Sequence, residues 1–154
     1  MATADQTIHR SRRLFEIERP MQPVQWAALA GSLVVGLWSL AGLIANPDFT
    51  LGHGATSVRV LGVDMNGWHA LSGFLITIPG LFAATRAPLS ALFNIAAGGA
   101  LIATAIWAFA ATYVAGGLFY FPHGDADAVL HLSVSAIFLA GAAHYLLAER
   151  RSRV

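Results

Sequence analysis

Four stretches of nearly unbroken apolar sequence, approximately Val24 to Ala45, Gly67 to Thr85, Leu92 to Val114 and Ala128 to Ala148, constrain this chain more than any other feature. Each approaches the roughly 20 residues a helix needs to cross about 30 Å of hydrocarbon. Lipid offers no partner to an unpaired backbone N–H or C=O, so a crossing segment has to be a helix or part of a closed barrel, and runs of this length read as helices. Composition agrees, because 56% hydrophobic and 11% charged residues lie outside the soluble range. The expectation is an all-α integral membrane protein, an antiparallel four-helix bundle.

The nine basic residues give the orientation. Arg10, Arg12, Arg13 and Arg19 precede the first span, Arg86 sits in the tight turn between the second and third, and Arg150, Arg151 and Arg153 follow the fourth. The other two loops hold Arg59 alone, together with Asp48, Asp64, Asp125 and Asp127. By the positive-inside rule both termini are cytoplasmic, both longer loops face outward, and the protein is a multi-pass component of the cell membrane. Residues 1–23 form a basic cytoplasmic segment, 24–148 the transmembrane domain and 149–154 a basic tail. The first span is full length and reads as an uncleaved anchor rather than a signal peptide. Leu14, Phe15 and Ile17 among arginines suit either a short interfacial helix or an unstructured tail.

With no cysteine, thiolate chemistry, disulfides and iron–sulfur clusters are excluded. No phosphate-binding loop or nucleophile elbow occurs, and nothing beyond the short basic tails supports nucleic-acid binding. The loop "HGATSVRVLGVD" is rich in β-branched residues and predicts a short extended cap over the outer mouth. Phe119, Tyr120 and Phe121 suit an interfacial turn.

Polar and small residues mark the faces turned away from lipid. They are Ala28, Ser32, Ser39 and Gly42 on the first span, and Asn66, His69, Gly73, Thr77 and Gly80 on the second. The third contributes Asn94, Gly98, Ala105, Ala108 and Thr112, with Gly99 and Ala103 as a further small pair, and the fourth Asp127, His131, Ser135 and Ala142. Pro79 removes a backbone donor and is expected to kink the second helix. Trp26, Trp38, Trp68 and Tyr113 read as interfacial belt residues, and Trp107 as a packing residue.

Two segments concentrate the chemistry. "DMNGWHALSGF" places Asn66 and His69 at the start of the second span, and "HGDADAVLHLSVS" places Asp127 and His131 at the start of the fourth. Both spans begin at the outer surface, and each histidine lies about 5 to 6 Å below its polar predecessor, so the imidazoles are level. Thr112, Tyr113, His53 and His123 fall near the same plane. His144 lies about 20 Å further down the fourth span and cannot join them. Two readings of the cluster stand side by side. In one, Asn66 and Asp127 cap helices and the histidines tie the outer end together by hydrogen bonds. In the other, His69, Asp127 and His131 hold a divalent metal, or His69 and His131 bind a b-type haem axially.

On these two motifs the chain resembles the small four-helix membrane proteins, common in actinobacteria, that are catalogued only as a domain of unknown function. An Asn-x-x-His element opening the second span and an Asp-x-x-x-His element opening the fourth characterise them, and both match here. Many members carry a further histidine where this chain has Gly73. The resemblance implies the topology and the polar outer cluster, and no activity. The leading expectation is therefore a non-enzymatic bundle, self-associating as a homo-oligomer or serving as an accessory subunit for a membrane-protein partner within the lipid bilayer. The alternatives are a haem- or metal-binding redox protein and a proton-coupled permease or sensor.

Overall fold

Pro23 opens the first helix, where its missing N–H is no loss because first-turn donors have no helical acceptor. Helix α1 (Pro23–Ala45) is followed by a 3-10 turn at Gly52–Gly54 and a hairpin of β1 (Val58–Val60) and β2 (Val63–Met65). Helices α2 (Gly67–Ala83), α3 (Ala87–Ala110) and α4 (Asp125–Arg151) complete the chain. The computed structural model describes residues 20–110 and 124–152. The N-terminal segment with Leu14, Phe15 and Ile17, the loop with Phe119, Tyr120, Phe121 and His123, and Thr112, Tyr113 and Val114 lie outside the described residues.

The four helices pack together, and three of them (α1, α3 and α4) are long and apolar enough to cross a membrane. The fold is all-α apart from the hairpin, which forms where the β-branched loop predicted an extended cap. Helix α2 is shorter than its sequence suggested: its 17 residues, about 25 Å, stop at Ala83 instead of Thr85. The reason is a tight turn in which Thr85 N and Arg86 N donate to Phe82 O and Ala83 O at 3.2 and 3.1 Å. Helix α3 in turn starts five residues before Leu92, since Pro88 is compatible with a first helical turn. Helix α4 extends from Asp125 through Arg150 and Arg151, whose charges complement its C-terminal dipole.

Packing follows the small-residue faces. Ala28, Ser32, Ser39 and Gly42 of α1 are buried, as are Gly73, Thr77 and Gly80 of α2 and Ser135 and Ala142 of α4. Side chains at Gly73 and Gly80 would collide with Ser39 and Ser32, so these two glycines let α1 and α2 approach closely. On α3, Gly98 packs against Leu139, whereas Gly99 and Ala103 face outward with nothing beside Gly99. The expected internal role of that second pair is not realised, because Gly98 already holds the contact face and residue 99 lies about 100° around the helix.

Buried polar groups pin the helices to one another. Thr77 Oγ1 donates to Gly73 O at 3.0 Å and to Ser32 O at 3.3 Å, and Ser135 Oγ to Gly98 O at 2.8 Å. Asn94 Nδ2 donates to Val24 O at 3.0 Å, tying α3 to α1. The closest associations are α1 with α2 and α3 with α4. Helices α2 and α3 touch sparingly despite their short connection, and α2 and α4 approach least. Between the helices, near the hairpin end, lies a cavity bordered by Val63 and Met65.

Candidate functional site

The hairpin end is built by local contacts that hold the first turn of α2 in place. Asn46 Nδ2 reaches Thr56 O at 3.2 Å and Met65 O at 3.4 Å, and Gly67 N donates to Asp48 O at 2.9 Å. Asp48 accepts from Thr50 N, Thr56 N and Thr56 Oγ1 at 2.7, 2.6 and 2.7 Å. Those bonds, led by the ones to Thr50 and Thr56, hold its carboxyl well below the usual carboxylate range. The hairpin turns through Leu61 and Gly62, both at positive φ as a two-residue turn requires. Across it the Arg59 guanidinium meets both oxygens of Asp64 at 3.1 Å, which raises the already high pKa of the arginine. Val63 and Met65 point inward, Met65 lying against Gly42, and together close one end of the cavity.

Asn66 is the N-cap of α2, with Oδ1 accepting from His69 N at 2.9 Å. This bears out its capping role and fixes the backbone from which His69 projects. Asp127 behaves differently. It was expected to cap the fourth helix, but α4 starts two residues earlier, with Gly124 as its N-cap, and Asp127 is the third helical residue. Its carboxylate is turned inward, 3% exposed, between the two imidazoles.

His69 Nε2 lies 3.3 Å from Asp127 Oδ1, and His131 Nδ1 lies 3.7 Å from Asp127 Oδ2. The imidazole centroids are 6.2 Å apart with their planes inclined at 44°. The two histidines predicted to be level therefore do meet, one from α2 and one from α4. One potential ligand atom from each of the three residues falls within 4.8 Å of the others. The contacts are not hydrogen bonds, however: His69 Nδ1, Asp127 Oδ1 and His131 Nδ1 are buried without a hydrogen-bond partner. Buried polar atoms are normally satisfied, so three orphans on one cluster require an explanation.

All three residues line a cavity of about 310 Å³ between α2 and α4. Its remaining wall is largely apolar, with Ile76, Leu101, Leu130 and Val134 prominent, and includes Trp38 and Trp107. Sequence position assigned Trp38 to an interfacial belt and Trp107 to packing. Instead, Trp38 turns its ring into the bundle and buries an unpartnered Nε1–H, while Trp107 flanks the cavity, 40% exposed. Depth along a helix was legible for these residues, and rotation about its axis was not. Trp68 does lie at the edge of the protein, stacked edge-on against Phe49 at 5.2 Å and donating to Thr50 O at 3.3 Å.

The cluster distinguishes among the cofactors the sequence allowed. A haem ligated by both histidines would place its macrocycle between the rings, where the Asp127 carboxylate already stands, so the donor set does not suit a porphyrin. Two imidazoles and one carboxylate converging on a common point suit a divalent transition metal. Tetrahedral zinc bonds of about 2.0–2.1 Å need ligand atoms roughly 3.4 Å apart, so contraction by at most about 1.4 Å from the 4.8 Å spread suffices. Gly73 lies on the cavity wall and supplies no ligand. The hydroxyls on which a proton path would depend are committed to backbone carbonyls: Ser72 to His69, Thr77 to Gly73, Thr104 to Ala100 and Ser135 to Gly98. His144 is exposed on the far part of α4, away from the cluster.

Comparison with curated proteins and with solved structures returned no match. Residues 25–144 match the family model described as Domain of unknown function (DUF4383), which takes in all four helices and both halves of the cluster, and the chain belongs to that family.

Proposed function

We propose that this is a metal-binding multi-pass protein of the cell membrane, an antiparallel four-helix bundle with both termini in the cytoplasm. His69, Asp127 and His131 hold one divalent transition metal near the outer surface. The observation that carries this reading is the trio itself: three ligating side chains from two helices, within 4.8 Å, each with an unsatisfied buried atom. A bound cation would satisfy Asp127 Oδ1 and His131 Nδ1, orphans that otherwise cost about 1–3 kcal/mol each. Three protein ligands leave further coordination positions facing the cavity, the pattern of a site that engages a second molecule rather than a purely structural one. Arginine placement supports the orientation, with Arg86, Arg150 and Arg151 at the end opposite the cluster.

Zinc titration of the full chain in nanodiscs, after chelation, tests the site. One equivalent is expected to bind, and His131→Ala is expected to weaken it by more than about 100-fold, exceeding the loss typical of an outer-shell partner. Failure of zinc, manganese, iron(II), cobalt and nickel to bind stoichiometrically would end the proposal.

The self-association reading keeps one supporting observation, the outward Gly99 and Ala103 on α3. Cross-linking through cysteines placed at Gly99 and Ala103 would give a dimer if two copies meet there.

A further inference from the structure

The cavity beside the cluster has its own chemistry. Its polar and apolar parts are segregated: Asp127 and the two imidazoles occupy one region, while Ile76, Leu101, Leu130 and Val134 form a continuous hydrocarbon wall. Two of its lining residues, Trp38 and Asp127, each bury a polar atom with no hydrogen-bond partner, and the two atoms have opposite requirements. Trp38 Nε1–H is a donor without an acceptor, and Asp127 Oδ1 is an acceptor without a donor. A hydroxyl group is the one simple group with both complements, because it accepts through its lone pairs and donates through its proton. A carboxylate accepts only, and beside the buried Asp127 it would add a like charge.

The position of the opening indicates where such a molecule comes from. Among the described residues, α2 and α3 pack sparingly, and the cavity residues Ser72 and Ile76 on one side and Thr104 and Trp107 on the other are all partly exposed along this seam. Around them the protein presents Leu71, Leu75, Ile106 and Phe109 outward, an apolar surface suited to acyl chains. In the membrane-spanning reading proposed above, on which this inference rests, a seam between two apolar helices opens to lipid rather than to water.

We infer that the cavity is a binding site for a neutral, hydroxyl-bearing amphiphile that enters from the bilayer between α2 and α3. Its hydroxyl reaches Trp38 Nε1 and Asp127, and its hydrocarbon tail lies along Ile76, Leu101 and Val134 and leaves past Thr104. The site does not depend on a metal. With a metal bound, the hydroxyl oxygen faces the open coordination positions.

Photolabelling tests this with the full chain in phosphatidylcholine nanodiscs, treated with chelator. The probe is a long-chain alcohol carrying a diazirine in its tail, compared with the corresponding carboxylic acid at pH 8. Labelling is expected within residues 72–76 and 101–107, with the acid at least about fivefold weaker. Trp38→Phe removes the donor while keeping the bulk of the ring, and is expected to reduce labelling about fivefold, the loss of one net hydrogen bond. Thr104→Phe and, from the opposite wall, Ile76→Phe narrow the opening and are each expected to reduce it at least as much. Zinc binding by these variants is expected to persist, which separates failure of this site from failure of the metal site. Labelling spread over outward residues such as Leu75 and Leu92 and indifferent to the three substitutions would overturn the inference. Equal labelling by the acid would overturn the selection for a neutral hydroxyl.

Discussion

The two ends of the helical assembly treat their buried polar groups in opposite ways. At the end formed by the start of α1 and the α2–α3 turn, Gln25 is fully buried and fully used: its Oε1 accepts from Gln22 N at 2.9 Å and its Nε2 donates to Ala84 O at 3.0 Å. Nearby, Ser90 Oγ donates to Ala83 O at 2.9 Å and Asn94 Nδ2 to Val24 O. Arg86 Nε, Asn94 Oδ1 and Ser32 Oγ, which lies against Gly80, have no hydrogen-bond partner, but they do not belong to a set of metal-ligating groups. At the hairpin end, polar atoms converge and stay unsatisfied around open space. The first arrangement uses polarity to lock helices together. The second holds polarity in reserve, at a cost to the free protein that a ligand can offset.

Removing a locking group should therefore destabilise, and removing a reserved one should not. Gln25→Ala leaves Gln22 N and Ala84 O without their partner, and a loss of about 2 kcal/mol is expected. Thermal unfolding in mild detergent measures it, and an unchanged transition would mean that this end is not locked as described. Asp127→Asn takes a buried charge away from two imidazoles to which it is not hydrogen-bonded. In metal-free protein its effect is expected to lie within about 1 kcal/mol and to favour the folded state, since a buried carboxylate without hydrogen bonds is costly. The same substitution should abolish the stabilisation that zinc confers on the unmodified protein. A large loss of stability without metal would place Asp127 among the locking groups and erase the contrast between the ends.

Much of this contrast was legible in the sequence, and the reasons for its limits are physical. Asn66 and His69, and Asp127 and His131, stand out because polar side chains are rare at the start of long apolar runs, and helical spacing puts each pair on one face. Antiparallel succession then brought the two pairs to the same end. Asp127 was misread as a cap because capping preference concerns residue type, whereas the start of α4 was decided three residues upstream at Gly124. The cavity could not be read at all. It depends on how far α2 stands from α4, which no local pattern encodes. Gln25 did leave a signal that went unused, since Gln22 and Gln25 flank Pro23 at the spacing of a capping box. The loop lock made by Asn46, Asp48 and Thr56 joins residues ten positions apart, beyond the reach of turn rules.

That lock offers the smallest and most local prediction. Asp48 is partly exposed, and its carboxylate accepts three hydrogen bonds that lower its pKa in the folded chain. A lowered folded pKa means that the ionised form contributes order above the pH at which a free aspartate titrates, about 4, and loses it as pH falls towards the folded value. The loop carrying Thr50 and Thr56 should then loosen only in acid, below about pH 4. Helix α2 starts immediately after Asp48 O receives Gly67 N, so the disturbance should reach His69 only weakly. The amide resonances of Thr50 and Thr56 report it directly: they should move together in a single acid titration, and Asp48→Asn should show the acid-like positions at neutral pH. If the cluster's metal affinity at pH 7 fell as much in Asp48→Asn as in His131→Ala, the hairpin end would be one cooperative unit rather than a site with an independent rim.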